Sequence, residues 1–477
     1  MRTLRLLALS SILASPTVSG AQSFASLSPQ VRQYVSVSDS VVALTNATVI
    51  DGTGAPPRTG QTIVIRGNRI AQVGNSASVR PPAGARVIDL AGHTVIPGLV
   101  GMHDHLFYTA AGGRAAQMSY TGPRLYLASG VTTIRTTGGR SPYAEINTRD
   151  AINGGRVPGP RVHLTAPYIT GGPEGTAGSM AQVNTPEAAR RFVAYWAQEG
   201  ATWIKAYTDI RAEDLKAAID EAHKRGIKVT GHLCSVSFRE AVALGIDNLE
   251  HGSLTNTDFD PEKRPDHCPP NSMVRAGMAS ASSDTARAVI RDMVAKGVGM
   301  TSTLAVFEPF FPKRDVSDAR TLEAMSPEVR EAYLRIRTHI DTTSTWPYTA
   351  QMLKNAMDFE KAFVEAGGLL AAGVDPTGFG GALPGYGDQR NYELLTEAGF
   401  APARTVQIMS ANGAKILGVY DRMGSIEAGK VADLVVLRGD LAANPSVIRN
   451  VVTVFKDGLG YDSPKLIAAV KGRVGID

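Results

Sequence analysis

The stretch VIPGLVGMHDH, residues 95–105, leads from an apolar run into two histidines, His103 and His105, that stand two residues apart. On an extended segment the two imidazoles point to the same side of the chain. Neutral imidazoles placed in this way can together hold one divalent ion. A His-x-His pair is common by chance, so its meaning depends on where in the fold it lies.

The middle of the chain alternates strand-like apolar runs with helical patterns. Eight runs are predicted as strands, at residues 94–98, 131–136, 161–165, 203–207, 228–232, 247–251, 299–304 and 369–375. Eight successive strand-then-helix units predict an α/β fold with a (β/α)8 TIM-type barrel. Catalytic groups of such barrels gather where the strands end, and His103 and His105 follow the first predicted strand.

Both ends of the chain consist of short alternating runs separated by turns. Such runs predict antiparallel strands, and they occur at residues 41–43, 47–49, 62–65, 69–73, 432–438 and 451–456. Because they stand on both sides of the barrel, we expect one small β domain built from both chain ends. The predicted boundaries are 22–95 and 418–477 for this domain, and 96–417 for the barrel.

The first 21 residues have the order of a secretory signal peptide. Arg2 and Arg5 precede an apolar run at 6–14, and Gly20-Ala21-Gln22 offers a small-residue cleavage site. We therefore expect a periplasmic or secreted protein. No membrane anchor is expected, because no cysteine follows the apolar run and no later stretch could span a bilayer. The net charge of +5 is carried without a Lys/Arg cluster, so nucleic acid is not an expected partner.

Cys234 and Cys268 are the two cysteines of the chain. In an oxidising compartment they could pair. Cys234 follows His232 by two residues, however, at the end of a predicted barrel strand. Burial there as a small apolar residue is the favoured interpretation of Cys234, and pairing with Cys268 stays open.

Four further polar residues lie on or at the end of predicted barrel strands: Lys205, His232, His251 and Asp375. Because Ile204 and Ala206 would face the surrounding helices, Lys205 is expected inside the barrel, where an ammonium is costly and tends to lose its proton. A neutral amine can react with carbon dioxide to give a carbamate, an anionic ligand that bridges two cations. The alternative is a lysine in a salt bridge at the strand end.

Asp375 ends the eighth predicted strand, which lies beside the first strand in a closed barrel. Its carboxylate would then stand next to His103 and His105, able to bind a metal and to accept a proton from water. The alternative for an Asp before Pro376 is a turn residue. Each of these signals is modest alone, and their order on successive strands is what makes them informative.

In these features the chain resembles the amidohydrolase superfamily, and within it the secreted, imidazolonepropionase-like branch of two-metal peptidases and amidases. The resemblance rests on residues 95–105, 130–133, 231–232, 250–252, 373–375, 383–385, 424–434 and 454–458, and on Lys205. It implies that the small β domain is a β-sandwich. It also implies that the protein can assemble as a homo-oligomer.

The resemblance further implies a ligand set for two divalent ions. His103, His105 and Asp375 would bind one ion, His232 and His251 the other, and N6-carboxylated Lys205 would bridge them. Zn2+ is the expected metal, because it suits imidazole and carboxylate ligands with an open position. The two ions would activate a shared water, and Asp375 would take its proton and deliver it to the leaving amine.

Three residues are candidates for substrate binding. In related proteins the run Gly-Val-Thr-Thr usually continues into an Asp, whereas here it continues with Ile134 and Arg135. Arg135 could recognise a substrate carboxylate or make a salt bridge outside the pocket. Tyr207 and His163 could polarise the substrate carbonyl or simply pack.

The favoured function is therefore hydrolysis of an amide or peptide bond in a small molecule such as a dipeptide or an N-acyl amino acid. An esterase, lactonase or phosphotriesterase could use the same two-metal site. A one-metal deaminase or cyclic-amide hydrolase is a further alternative, against which Lys205 counts. A barrel that binds without catalysis is disfavoured, because all six ligands are present.

Overall fold

A computed structural model describes residues 22–109, 115–171, 180–314, 316 and 318–476. The predicted signal peptide, residues 1–21, lies outside the described residues. The strands are β1 (Val35–Val37), β2 (Val41–Val49), β3 (Arg58–Arg66), β4 (Arg69–Asn75), β5 (Arg86–Asp89), β6 (His93–Pro97), β7 (Leu99–Asp104), β8 (Phe107–Thr109), β9 (Ala115–Gln117), β10 (Val131–Thr136), β11 (Arg161–His163), β12 (Thr165–Thr170), β13 (Ala181–Gln182), β14 (Trp203–Ala206), β15 (Lys228–Gly231), β16 (Asn248–Glu250), β17 (Gly299–Ser302), β18 (Leu370–Ala372), β19 (Leu434–Arg438), β20 (Val451–Lys456) and β21 (Leu459–Asp462).

Helices alternate with the strands through the middle of the chain. They are α1 (Pro29–Arg32), α2 (Thr121–Ala128), α3 (Pro142–Asn153), α4 (Pro186–Gln198), α5 (Ala212–Lys224), α6 (Phe238–Leu244), α7 (Ser272–Met278), α8 (Asp284–Lys296), α9 (Leu304–Phe307), α10 (Ala319–Ala324), α11 (Pro327–Thr342), α12 (Ala350–Glu365), α13 (Tyr386–Glu397), α14 (Pro402–Gln407), α15 (Gly413–Leu417) and α16 (Ser463–Val470). None of the described helices is long and apolar enough to cross a membrane.

The barrel consists of parallel strands in chain order. From β7 the neighbours run β10, then β11 and β12 as two halves of the third strand, then β14, β15, β16, β17 and β18, and β18 pairs with β7 again. Between the second and third strands a bridge from Gly139 to Pro167 completes the ring. The predicted (β/α)8 barrel is confirmed, and its strand ends converge on one mouth.

Period-two alternation explains which side chains enter the barrel. Ile204 and Ala206 on β14 belong to the apolar core between the sheet and the helices, so the side chain of Lys205 between them points inward. The following helix α5 buries Leu215 and Ile219 and places Glu213 in its first turn, where an acidic side chain stabilises the positive end of the helix dipole.

The small domain is a β-sandwich formed from both chain ends, as predicted. Its strand order is β1-β21-β20-β19-β6-β2-β3-β4, with β5 paired to β2. The C-terminal strand β19 pairs antiparallel with the N-terminal β6, which joins the two ends directly. Arg161 at the base of the barrel forms ion pairs with Asp433 and Asp457 of the small domain.

The prediction that residues 94–98 form the first barrel strand was wrong. These residues belong to β6 of the small sheet, and the first barrel strand is β7, Leu99–Asp104. The chain passes from one sheet to the other at Gly98, where a Cβ atom would lie 2.1 Å from Oγ1 of Thr132. One apolar run thus supplies two successive strands, and its hydrophobicity does not show that they belong to different sheets.

Cys234 and Cys268 form a disulfide, the alternative that the sequence left open. The bond connects the loop after β15 to the long loop after β16, and the two residues are 34 positions apart. Cys234 is indeed buried, with 5% of its surface exposed. Burial and pairing are therefore compatible here, and the sequence could not show that the second loop folds back over the first.

We expect the double variant Cys234→Ala/Cys268→Ala to lose about 2–4 kcal/mol of unfolding free energy, because the cross-link restricts the unfolded chain over a loop of this length. Urea unfolding of oxidised wild type and variant measures the difference. Reductant should destabilise the wild type and leave the double variant unchanged. Equal midpoints for both proteins under oxidising conditions would contradict the prediction.

Candidate metal centre

Six predicted metal ligands meet at the mouth of the barrel. His103 lies on β7 and His105 directly after it, Lys205 lies on β14, and His232, His251 and Asp375 follow β15, β16 and β18. All six line one cavity of about 230 Å³. The structure therefore brings together side chains that are up to 272 positions apart in the sequence, because parallel strands of a barrel end on the same face.

Asp375 is the central group of this cluster. Its carboxylate oxygens lie 3.5 Å from Nε2 of His103 and 3.3 Å from Nε2 of His105. Nδ1 of His251 lies 3.9 Å from Asp375. One ligand atom from each of His103, His251 and Asp375 falls within a group no wider than 4.8 Å, a spacing that a single divalent ion can bridge.

His232 completes the cluster on the other side of His251. The His232 and His251 rings have centroids 4.5 Å apart, and the His251 and His103 rings are also 4.5 Å apart. The imidazoles thus form a continuous group around His251.

Burial keeps these imidazoles neutral, which is the form that binds metals. It lowers the pKa of His232 to about 3, with the Lys205 amine adding to the effect. Burial likewise lowers the pKa of His103 and of His251 well below the usual value. Burial alone would raise the pKa of Asp375, but His103 and His105 outweigh it and hold the pKa below its usual range. The site thus offers lone pairs and one carboxylate at neutral pH.

The amine of Lys205 is unusual in this site because it is buried without a hydrogen-bond partner in the described part of the chain. The residue is 1% exposed, and its Nζ has no hydrogen-bond partner among the residues that the structure describes. Burial lowers its pKa to about 8. A buried amine without a partner, surrounded by imidazoles and a carboxylate, favours the neutral form, which can act as a ligand. The donor set therefore fits divalent metal ions.

The polar groups behind the ligands fix their orientation. Nδ1 of His103 lies 2.8 Å from Oε2 of Glu250, Nδ1 of His251 lies 2.8 Å from Oγ1 of Thr303, and Nδ1 of His105 lies 3.2 Å from the carbonyl oxygen of Gly138. Such partners fix the orientation of each ring and would leave its other nitrogen available to a metal ion. Glu250 had no role in the sequence-based account, although it stands beside His251.

Two ligands occupy unusual backbone conformations. His251 has φ of 72° and Asp375 has φ of 48°, both in the left-handed region. Non-glycine residues enter this region at a cost of roughly 1–3 kcal/mol when the surroundings enforce it. The amide N–H of Asp375 donates to the carbonyl of His103 at 2.8 Å, which ties its strand end to the first strand and turns the carboxylate into the site.

Arg135, a predicted substrate-binding residue, does not line the cavity. Its side chain is fully buried beneath the metal ligands, where it forms an ion pair with Glu250 and lies 4.5 Å from the Trp203 ring centroid. The physical reason is alternation on β10, which directs Arg135 into the barrel interior at a level below the mouth. His163 also lies outside the cavity lining, and burial followed by nearby Arg161 lowers its pKa to about 4.

Tyr207 does line the cavity, as predicted, with its ring 4.8 Å from that of His232. Tyr168 was missed. Its hydroxyl lies 3.4 Å from Nε2 of His105. The prediction ended the third strand at 165, whereas β12 continues to Thr170, so Tyr168 was never considered. The apolar run Ala166-Pro167-Tyr168-Ile169, which continues beyond Thr165, was the signal that could have found it.

The remaining lining is mostly apolar and comes from the segments that follow the barrel strands. It comprises Phe107, Arg140, Met180, Met273, Val306, Phe307, Phe310, Thr377 and Gly378. An apolar wall beside polar groups is typical of a site that excludes water and orients an organic ligand. Phe307 and Phe310 belong to this wall and follow β17, the seventh strand of the barrel.

The amidohydrolase family model matches residues 94–263 and 354–459, more than half of the chain and all of the metal ligands. The chain belongs to the amidohydrolase family. This family membership agrees with the barrel, the β-sandwich and the buried histidine and aspartate ligands described above.

Solved structures of similar fold cover most of the chain. A Bifidobacterium longum protein assigned as a prolidase is 26% identical, covering 90% of this chain and 98% of that one, with a TM-score of 0.63. An Xaa-Pro dipeptidase with bound methionine is 23% identical, covering 89% and 100%, with a TM-score of 0.66. The bottromycin amidohydrolase is 19% identical, covering 93% and 94%, with a TM-score of 0.71.

Curated relatives match over shorter segments. The enamidase of Eubacterium barkeri is 25% identical over 199 residues, which is 41% of this chain and 50% of that protein. An uncharacterized Mycobacterium tuberculosis protein is 25% identical over 222 residues, 44% of this chain and 56% of that protein. The chain thus spans about half the length of the curated relatives it matches.

We expect Glu250→Gln to weaken metal binding by about 10- to 100-fold, because His103 loses its anionic partner. Zn2+ titration of the metal-free protein against a competing chelator measures this. Glu213→Gln, an exposed carboxylate on α5, is the matched control. An affinity equal to that of the control would contradict the role of Glu250.

Proposed function

We propose that this protein is an exported hydrolase that uses two divalent ions, with Zn2+ as the favoured metal, to cleave the amide bond of a dipeptide, an N-acyl amino acid or a related small amide. The observation that carries the proposal is the buried Lys205 amine, unpartnered among the described residues and surrounded by metal-ligating side chains. Carboxylation of this amine would give the second ion an anionic ligand that the histidines alone do not provide.

The residues of the cavity suit hydrolysis of a carbonyl compound. Metal ions bound there would supply an activated water and polarise the substrate carbonyl. Asp375 is ionised at neutral pH, so it can accept a proton and return it to the leaving amine. Tyr168 and Tyr207 both keep their protons, because burial raises the pKa of each. Their hydroxyls can therefore donate hydrogen bonds to an oxygen that gains charge.

Similarity supports the choice of an amide over an ester. The structure of the B. longum protein assigned as a prolidase is 26% identical and covers nearly the whole of both chains. Prolidases cleave a peptide bond of a dipeptide, and the lining of this cavity has the mixture of apolar and polar groups that a small peptide requires.

Export is supported by the disulfide between Cys234 and Cys268, because disulfides persist in oxidising compartments. If residues 1–21 are a signal peptide, the mature protein begins at Gln22. Mass spectrometry of the protein recovered from the periplasm or the medium tests this. An intact N-terminus on a cytoplasmic protein would contradict export.

Hydrolysis of a panel of dipeptides and N-acyl amino acids by the metal-loaded protein is the direct test of the function. We expect amide cleavage that is abolished by a chelator and restored by Zn2+. Cleavage of ester or lactone substrates alone would contradict the proposal and favour the esterase alternative.

We expect Lys205→Ala to reduce the bound metal from two equivalents towards one and to lower amide hydrolysis by more than about 100-fold, because the bridging ligand is lost. Elemental analysis and kinetics on the same preparation measure both. Lys216→Ala, an exposed lysine of α5, should match the wild type. A single equivalent in fully folded wild type would contradict the two-metal centre and favour the one-metal alternative.

A further inference from the structure

Arg140 is a cation at the cavity whose charge the described protein does not neutralise. It follows β10 at the mouth of the barrel and lines the same cavity as the metal ligands. Its Nε is buried and has no hydrogen-bond partner among the described residues. Its guanidinium carbon lies 5.4 Å from the ring centroid of Phe107, whose ring in turn stacks on that of His105 at 4.5 Å.

Arg135 and Arg140 differ in whether a carboxylate balances their charge. Arg135 lies five residues earlier and is fully buried, and its charge is balanced by Glu250. Within the described ranges no carboxylate forms an ion pair with Arg140. A guanidinium that is partly removed from water and lacks an anion is costly, and its planar fork is shaped to bind a carboxylate through two parallel hydrogen bonds.

We propose that Arg140 binds the free carboxylate of the substrate, and that this carboxylate belongs to the amino acid released as the leaving group. This inference rests on the proposed amide hydrolysis and specifies its substrate: a dipeptide or N-acyl amino acid with an unblocked C-terminus.

The order of the strands determines which end of the substrate lies near Arg140. β7 pairs with β18 on one side and with β10 on the other. Asp375 follows β18 and Arg140 follows β10, so the two residues flank the strand that carries His103. The leaving nitrogen must lie beside Asp375 to receive a proton. The α-carboxylate is attached one carbon beyond this nitrogen, on the side towards Arg140.

The opposite wall of the cavity is suited to the acyl half of the substrate. Met273 follows β16, and Val306, Phe307 and Phe310 follow β17. Strands six and seven lie across the barrel from strand two, and these four side chains are apolar. The substrate that fits has an apolar group on the acyl side and a carboxylate on the amine side.

The test compares the dipeptide Phe-Leu with its C-terminal amide, Phe-Leu-NH2, by the release of leucine or leucinamide. In the metal-loaded protein, Arg140→Met should lower kcat/KM for Phe-Leu by about 10- to 100-fold, which is the usual effect of losing a charged hydrogen-bonded pair. Most of the loss should be in KM, because the carboxylate keeps its charge throughout the reaction. For Phe-Leu-NH2, kcat/KM should change less than about 3-fold, because this substrate has no carboxylate to form an ion pair with Arg140.

Two variants separate this role from a general effect on the fold. Arg140→Lys should keep part of the preference for the free acid, because it retains the charge without the planar fork. Arg190→Met, at an exposed arginine of α4 that pairs with Glu187, should behave as wild type on both substrates.

The outcomes distinguish this inference from the function on which it rests. Equal losses on both substrates in Arg140→Met, or a wild type that cleaves Phe-Leu-NH2 as well as Phe-Leu, would overturn the role of Arg140 and leave amide hydrolysis standing. A fully metal-loaded wild type that cleaves neither substrate, nor any other amide of the panel, would overturn the proposed function and the inference together.

Discussion

The burial of the Lys205 amine is the constraint on which the site depends. Period-two alternation on β14 directs this side chain into the barrel, where it is 1% exposed and lies among the histidines and Asp375. A charged ammonium there would repel the cations that this cluster of ligands is built to hold. Burial disfavours the charged amine, and the proposed carbamate would remove the conflict by replacing the positive charge with a negative one.

A second buried charge supports the ligands from below. Glu250 accepts hydrogen bonds from Arg135, Thr230 and Asn248 and faces Nδ1 of His103. Removing one partner of a buried ion pair leaves an uncompensated charge and is strongly destabilising. The network joins the first, second, fifth and sixth strands of the barrel, so the floor of the site is held in one arrangement while the loops above it form the substrate pocket.

The sequence predicted the fold class and the approach of the metal ligands because both follow from local periodicity. His103, Lys205 and Asp375 could be placed at strand ends, and parallel strands in a barrel then have to bring them together. Contacts that depend on tertiary packing could not be predicted in this way. The depth of Arg135 below the mouth, the Cys234–Cys268 bond and the assignment of residues 94–98 to the other sheet all depend on how distant segments meet. Arg140 was overlooked because nothing in the sequence distinguishes a charged loop residue in a pocket from one in solvent.

The decisive measurement for a two-metal centre is a crystal structure of the Zn2+-loaded protein, with diffraction data collected at the zinc absorption edge. We expect two anomalous peaks, with His103, His105 and Asp375 around one and His232 and His251 around the other. Density continuing beyond Nζ of Lys205 to a carboxylate between the peaks is the decisive feature. A single peak together with an unmodified Lys205 amine, at full metal occupancy, would contradict a two-metal centre.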